Sequence, residues 1–357
     1  MLLFNRIMVR RVLALLLLTV TSTLALAGFA VVGLGTAQTE APHISFVLAT
    51  GSTGGTYFPV GQAIAEIISH PPGAARCELA AVCGPPGLIA STRSSLGSVA
   101  NVRDVNDGRV DSGLAQSDIL AEAVSGKGEF RKSGPQTRVR VIADLFPEEV
   151  HLVASRRARI RTPTDLKGKR VAIGPVGSGT AGIAREILAA WSIPERRVKE
   201  SNETPDLAAQ RLARGEIDAF FFVGGAPVSF IGDLVSSGRA ELVPLAGSGR
   251  NRLLVEQPGL SAETITASEY PAERMPIDTV GVHAIWIVNE NEPANLVYRI
   301  TEALFSPANR AALTAAHPSA RAIRPETATQ VVPAPLHPGA AQFYRETGVP
   351  GRVERHS

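Results

Sequence analysis

Ile44-Ser45-Phe46-Val47-Leu48-Ala49-Thr50-Gly51-Ser52-Thr53-Gly54-Gly55-Thr56-Tyr57 is the stretch whose reading decides the fold. A short apolar run enters a glycine-rich turn, and a helical pattern begins at Tyr57. The same phrase returns later. Residues 170–174 are apolar, Gly177-Ser178-Gly179-Thr180 is the turn, and a helical pattern runs from Ala181 to Trp191. A strand, a glycine turn and a helix N-terminus together make an anion site. Free backbone N–H groups point outward there, and the helix dipole favours negative charge. Two such units far apart in sequence predict two lobes that meet on one ligand.

The chain has 357 residues, more than one ordinary domain, and two domains is the natural expectation. Apolar residues make up 45% and charged residues 19%, which fits a packed globular protein. Aromatics are only 5%, which argues against a stacking surface for bases or sugars. Strand-like and helix-like patterns alternate, the α/β signature. Residues 139–145 and 150–155 read as two apolar strands joined by Phe146-Pro147-Glu148-Glu149. Thr204-Pro205-Asp206 reads as a helix start, with a capping residue and then Pro at the first helical position. Residues 218–223 read as a buried strand, residues 293–317 as helix, and residues 338–347 as a final short helix. No low-complexity linker separates the lobes. The crossings are therefore expected to be strands, near 150–155 and 280–288. The expected division is residues 42–150 with 285–357 as one lobe and residues 151–284 as the other.

The N-terminus reads as a leader. Arg6, Arg10 and Arg11 precede an uncharged run over residues 12–34, and Gly35-Thr36-Ala37 offers small residues for cleavage after Ala37. This predicts a secretory signal peptide over residues 1–37 and a periplasmic protein. An uncleaved membrane anchor is the alternative, because the run is long enough to span a bilayer. The chain carries 36 basic and 33 acidic residues. The three leader arginines account for the whole excess, so the remainder is balanced and lacks a nucleic-acid footprint. In an exported protein, Cys77 and Cys83 are expected to close a small loop as a structural disulfide.

Several chemistries lack their motifs. Neither glycine turn is followed by the Lys of a phosphate-binding loop, neither matches G-x-G-x-x-G well, and no G-x-S-x-G occurs. The seven histidines are scattered without metal-ligand spacing, and no paired carboxylate stands out for acid–base work. The chain reads as equipped to hold a ligand, without cofactor, metal or catalytic residues.

At its glycine turns the sequence resembles a known family. The run Ala49-Thr50-Gly51-Ser52-Thr53-Gly54-Gly55-Thr56-Tyr57-Phe58-Pro59-Val60-Gly61 is similar to the opening signature of the TAXI family, the substrate-binding proteins of one class of TRAP transporters. The likeness continues through Gly97-Ser98-Val99-Ala100-Asn101-Val102, Leu114-Ala115-Gln116-Ser117-Asp118 and Asp165-Leu166-Lys167-Gly168-Lys169-Arg170-Val171. It closes with Pro335-Leu336-His337-Pro338-Gly339-Ala340-Ala341 and Phe343-Tyr344. The resemblance implies a periplasmic-binding-protein fold of the type II topology, two α/β lobes on a two-strand hinge. It implies delivery of ligand to an integral-membrane TRAP permease driven by an ion gradient. It also implies a small carboxylate ligand such as glutamate, glutamine or 2-oxoglutarate, bound by a monomer. The cysteine-bearing insert over residues 76–86 departs from that signature.

The candidate ligand-binding residues follow. Ser52, Thr53, Gly54, Gly55 and Tyr57 form one wall, where N–H groups and hydroxyls suit a carboxylate. Ser98 and Asn101 begin a second helix; Ser98 also suits an N-cap. Gln116 and Ser117 end a strand, where ligands of open α/β lobes sit. Ser178, Gly179 and Thr180 form the opposing wall, and Val223 and Gly224 end another strand. Trp191 and Trp286 are expected in the core. Replacing Thr53 or Thr180 by Val is expected to weaken binding. A ligand sensor coupled to a membrane signalling partner is the alternative function.

Overall fold

The computed structural model describes residues 43–74 and 82–349, together with Met8. The leader over residues 1–37, Met8 apart, and Cys77 lie outside the described residues; Cys83 is disulfide-bonded. The apolar run that opens the sequence forms β1 (Ile44–Ala49), and the glycine turn leads into α1 (Tyr57–Ile68). The helix buries Tyr57, Val60, Ile64, Ile67 and Ile68, spaced three and four apart so that one face meets the sheet. β2 (Leu88–Arg93), α2 (Ser98–Asn106), β3 (Ser112–Gln116) and α3 (Ser117–Ser125) follow. β1 pairs parallel with both β2 and β3.

The next strand is long. β4 (Val139–Ser155) runs unbroken for 17 residues. The expected connection Phe146-Pro147-Glu148-Glu149 is therefore not a loop. Pro147 lacks an N–H, yet it stays in the strand, opposite His283 in the neighbouring ladder, beside a register shift. Beyond β4 come β5 (Arg170–Ala172), α4 (Gly179–Ala190), β6 (Lys199–Ser201), α5 (Pro205–Arg214) and β7 (Ala219–Gly224). Then follow α6 (Ser229–Ser236), β8 (Ala240–Leu242), α7 (Ser248–Glu256), β9 (Ser261–Ile265) and β10 (Ile277–Asn289). The chain closes on α8 (Ala294–Phe305), α9 (Arg310–Ala316) and α10 (Pro338–Thr347). The helix expected over residues 293–317 thus breaks at Ser306, because Pro307 cannot donate to the preceding turn.

The ten strands form one sheet with the path β2-β1-β3-β10-β4-β7-β5-β6. β10, the last strand in sequence, lies antiparallel between β3 and β4. Alternate residues of the strands feed opposite faces. On β10, Ala284, Trp286 and Val288 join a core under α1, α8 and α10, while Ile285 and Ile287 join a core under α2 and α3. On β7, Ala219, Phe221 and Val223 face α4 and α7, while Phe220 and Phe222 face α5 and α6. This is the period-two rule applied to a sheet covered on both sides.

The cores divide along β4 and β10. One pair of cores reaches Phe146 on β4 and Ala284 on β10. The other pair begins at Val150 and ends at Val282. Between them β4 carries Pro147, Glu148 and Glu149, and β10 carries His283. Two hydrophobic bodies thus share two long strands, with a polar belt where they meet. The architecture is mixed α/β, and a cavity lies beside this belt.

Candidate ligand-binding cavity

A small cavity of about 70 Å³ lies where the two bodies touch. This is well above the roughly 10–15 Å³ a cavity needs to hold a single water. Four helices present their first residues to it: Tyr57 of α1, Ser98 of α2, Gly179 of α4 and Pro205 of α5. Strand ends supply Gln116 of β3 and Val223 of β7. Each helix start brings the positive end of a dipole, worth on the order of 1 kcal/mol toward a bound anion. Pro205 has no N–H, and Ala100 N and Ala181 N already donate to Gly177 O and Ser178 Oγ.

The backbone reaches these positions through glycine. Gly97 (φ 117°) is the N-cap of α2, and Gly177 (φ 86°) precedes α4; both are conformations that other residues avoid. Gly179 makes a close approach: a Cβ there would lie 1.7 Å from Gln116 Oε1, across the junction, so the Gln116 amide would have to move. Two hydrogen bonds also cross the junction. Ala100 N donates to Gly177 O at 3.3 Å, and Thr56 Oγ1 donates to Gly225 O at 3.3 Å. The two bodies are closed upon each other.

The floor of the cavity is Glu148, 1% exposed. Tyr57 Oη donates to Glu148 Oε2 at 2.7 Å. Burial raises the Glu148 carboxyl to about 8, against a smaller opposing effect of the tyrosine hydrogen bond. Burial and the neighbouring glutamate likewise push the Tyr57 hydroxyl well above its ordinary value, so it stays protonated. Among the described residues, no Arg, Lys or His lines the cavity.

Comparison with known proteins gives the family and the fold. The NMT1-like family matches residues 48–348, nearly the whole folded chain. The chain belongs to the NMT1-like family. MatC (Rpa3494) from Rhodopseudomonas palustris with bound malate superposes with a TM-score of 0.52 at 15% identity, over 86% of this chain and 98% of that one. The alkanesulfonate-binding protein SsuA from Xanthomonas axonopodis pv. citri, bound to MOPS, gives 0.45 at 15% identity over 87% and 96%. The periplasmic aliphatic sulphonate binding protein SsuA from Escherichia coli gives 0.42 at 13% identity over 88% and 96%.

In this NMT1-like protein the residues singled out from sequence take distinct places. Ser52, Gly55 and Tyr57 line the cavity from the first turn, as do Ser98 and Gln116. Ser178, Gly179, Thr180 and Val223 line it from the opposite body. Thr180 Oγ1 accepts from Val223 N at 3.3 Å. Ser178 Oγ accepts from Ala181 N and donates to Pro175 O, so it acts as the N-cap of α4. Ser98 is not the cap of its helix, since Gly97 holds that position; its Oγ accepts from Gln116 N at 3.1 Å.

Five candidates stand outside the lining. Thr53 is exposed at the tip of its turn. Gly54 abuts Asp206, whose Oδ1 would lie 2.0 Å from a Cβ at that position. Asn101 is fully buried, and its Nδ2 donates to Thr50 O at 2.6 Å and Leu114 O at 2.7 Å, tying the ends of β1 and β3. Ser117 Oγ accepts from His283 N at 3.0 Å. Gly224 packs against Phe222 and Thr56.

Glu148, Phe222, Thr204 and Leu96 line the cavity without having been singled out in the sequence. For Glu148 a signal existed: two acids inside an otherwise apolar strand-forming run. Reading Pro147 as a loop residue concealed it. Among the described residues, no helix is long and apolar enough to cross a membrane, and no group of three or more potential ligands is placed to hold a metal.

Proposed function

We propose that this chain is an exported solute-binding protein that captures a small carboxylate in the closed cavity and delivers it to a TRAP-type membrane permease. The observation that carries the reading is the convergence of four helix starts on one small cavity between two bodies. A carboxylate there meets N–H groups and hydroxyls from both bodies and would hold them together. The cavity offers Tyr57 Oη and Glu148 but no nucleophile–base pair, which favours holding a ligand over transforming it. The likeness to MatC, whose structure contains malate, supports a small acid as ligand. The glycine-turn motifs support the TRAP branch, and the leader pattern supports export.

A thermal-shift screen with amino acids, hydroxy acids and dicarboxylates tests the proposal. A ligand that binds only the folded state raises its stability, by about 2.7 kcal/mol at a hundredfold excess over Kd. Absence of a shift with every small carboxylate would overturn the reading. Loss of uptake on deleting the chain together with a neighbouring permease would separate transport from sensing.

A further inference from the structure

We propose that α3 and α4 form a proton-operated latch: carboxyl groups from the two bodies meet along these helices, so closure takes up protons and the bodies part as pH is raised. This goes beyond the ligand reading above and does not depend on which molecule the cavity holds.

The two helices leave the cavity side by side, and their turns meet in step. At their starts Gly179 lies against Gln116. One turn on, a Cβ at Gly182 would lie 3.9 Å from Ile119 Cδ1. The next turn of α4 carries Glu186, four residues after Gly182 and so on the same face. It meets Asp118 and Glu122 of α3, themselves four apart on one face. Asp118 also faces Glu148 and the neutral Tyr57 on the cavity side. The nearby cations are mostly turned elsewhere. Arg185 reaches Glu195 and Ala181 O, and on α7 Arg252 donates to Ala190 O and Arg250 to Thr279 O. Arg103 of α2 donates to Glu129 O, and His283 of β10 bonds Asp144. Arg131 acts on Glu122, offset by Glu129. A second observation points the same way: Asp118 Oδ1 is buried without a hydrogen-bond partner. Like charges pressed together out of water repel, and a bound proton relieves the repulsion.

The sign follows from which state holds the protons. With the bodies apart, water reaches these acids and they titrate at ordinary carboxylate values. With the bodies closed, burial, and then Asp118 and Glu122, raise Glu186 to about 8. Burial raises Asp118 to about 7 and lifts Glu122 as well. The closed state therefore keeps protons that the open state gives up. Its advantage is complete below about pH 4 and is lost as pH rises toward about 8. Each proton taken up on closure lowers the closed-to-open ratio by up to about tenfold per pH unit. Glu148 acts with the same sign from inside the cavity, whereas Glu186 stands outside the lining. Changing Glu186 thus leaves the cavity wall as it is.

Distance measurement between two spin labels on the ligand-free chain tests this. Gln62→Cys on α1 and Gln210→Cys on α5 place one label on each body, both at exposed positions. The short separation should dominate near about pH 5 and give way to a longer one near about pH 8.5, with circular dichroism unchanged. Glu186→Gln and, separately, Asp118→Asn should each raise the closed-to-open ratio near about pH 8.5 by at least about tenfold. Glu326→Gln removes an exposed acid outside the cluster and should follow the parent chain. One separation throughout the range, or an opening that neither Glu186→Gln nor Asp118→Asn suppresses, would overturn the latch. No ligand is added, so either result leaves the carboxylate reading to its own screen.

Discussion

Gly179 carries more of the closed state than its size suggests. Its missing side chain is what lets Gln116 Oε1 lie against it across the junction. In Gly179→Ala, either Gln116 swings into the cavity or the bodies part, and both outcomes weaken binding. Affinity should fall at least about tenfold, or 1.4 kcal/mol, while the ligand-free melting temperature stays near wild type; calorimetry and thermal unfolding check the two halves of that expectation. The two threonines divide as well. Thr180 lines the cavity and holds Val223 N, so Thr180→Val should cost about 1 kcal/mol of stability and weaken ligand binding. Thr53 is exposed at its turn's tip, so Thr53→Val should leave affinity within about twofold in the same titration.

At the scale of elements, the glycine turns hold their geometry through buried side chains. Asn101 on α2 is the clearest case, because one amide ties the last carbonyl before the first turn to a carbonyl of β3. Asn101→Ala removes both bonds, although Thr50 O keeps a second donor in Ser95 Oγ. It should lower unfolding free energy by about 2–4 kcal/mol in chemical denaturation. Elements of this kind were largely legible in the sequence. The strand–glycine–helix phrase, the helix start at Pro205 and the short final helix all follow from local chemistry: turn glycines, N1 prolines and apolar spacing. What was not legible is the tertiary use of a residue. Asn101 and Ser117 carry the same polar signature whether they face a ligand or a backbone, and only the assembled sheet decides. Pro147 shows the limit from the other side. A proline beside two glutamates reads as a break, yet β10 pairs with β4 through Pro147, and β7 takes up the other edge from Glu149 onward.

At the scale of the molecule, buried acids set how stability responds to pH. Burial raises Glu148 and Glu186 to about 8, and Asp118, Glu149 and Glu292 to about 7. An acid whose folded value exceeds its unfolded one keeps a proton that the unfolded chain gives up, so stability falls as pH rises between the two values. His151 acts in the opposite window. Burial lowers it to about 4, so stability falls as pH drops below its ordinary 6.5. With five raised acids against one lowered histidine, the melting temperature should be highest near about pH 4–5 and fall by several degrees or more toward pH 8, as calorimetry across that range would show. The recurrent strand and helix pattern gave the α/β class from sequence alone, but the placement of these acids together was beyond it, because α3, β4 and α4 meet only in the fold.

The late strand β10 has a consequence for how the protein is made. It is the last strand of the sheet to leave the ribosome, yet its place is at the centre, between β3 and β4. Until it arrives, both strands expose open edges, the surfaces most prone to wrong pairing. The body built from β5 to β9 is contiguous in sequence, so its material is delivered before the other body can be sealed. During synthesis or export, a nascent chain stopped short of residue 277 would present an unsealed sheet. Truncations there should be chaperone clients and not half-sized binding modules.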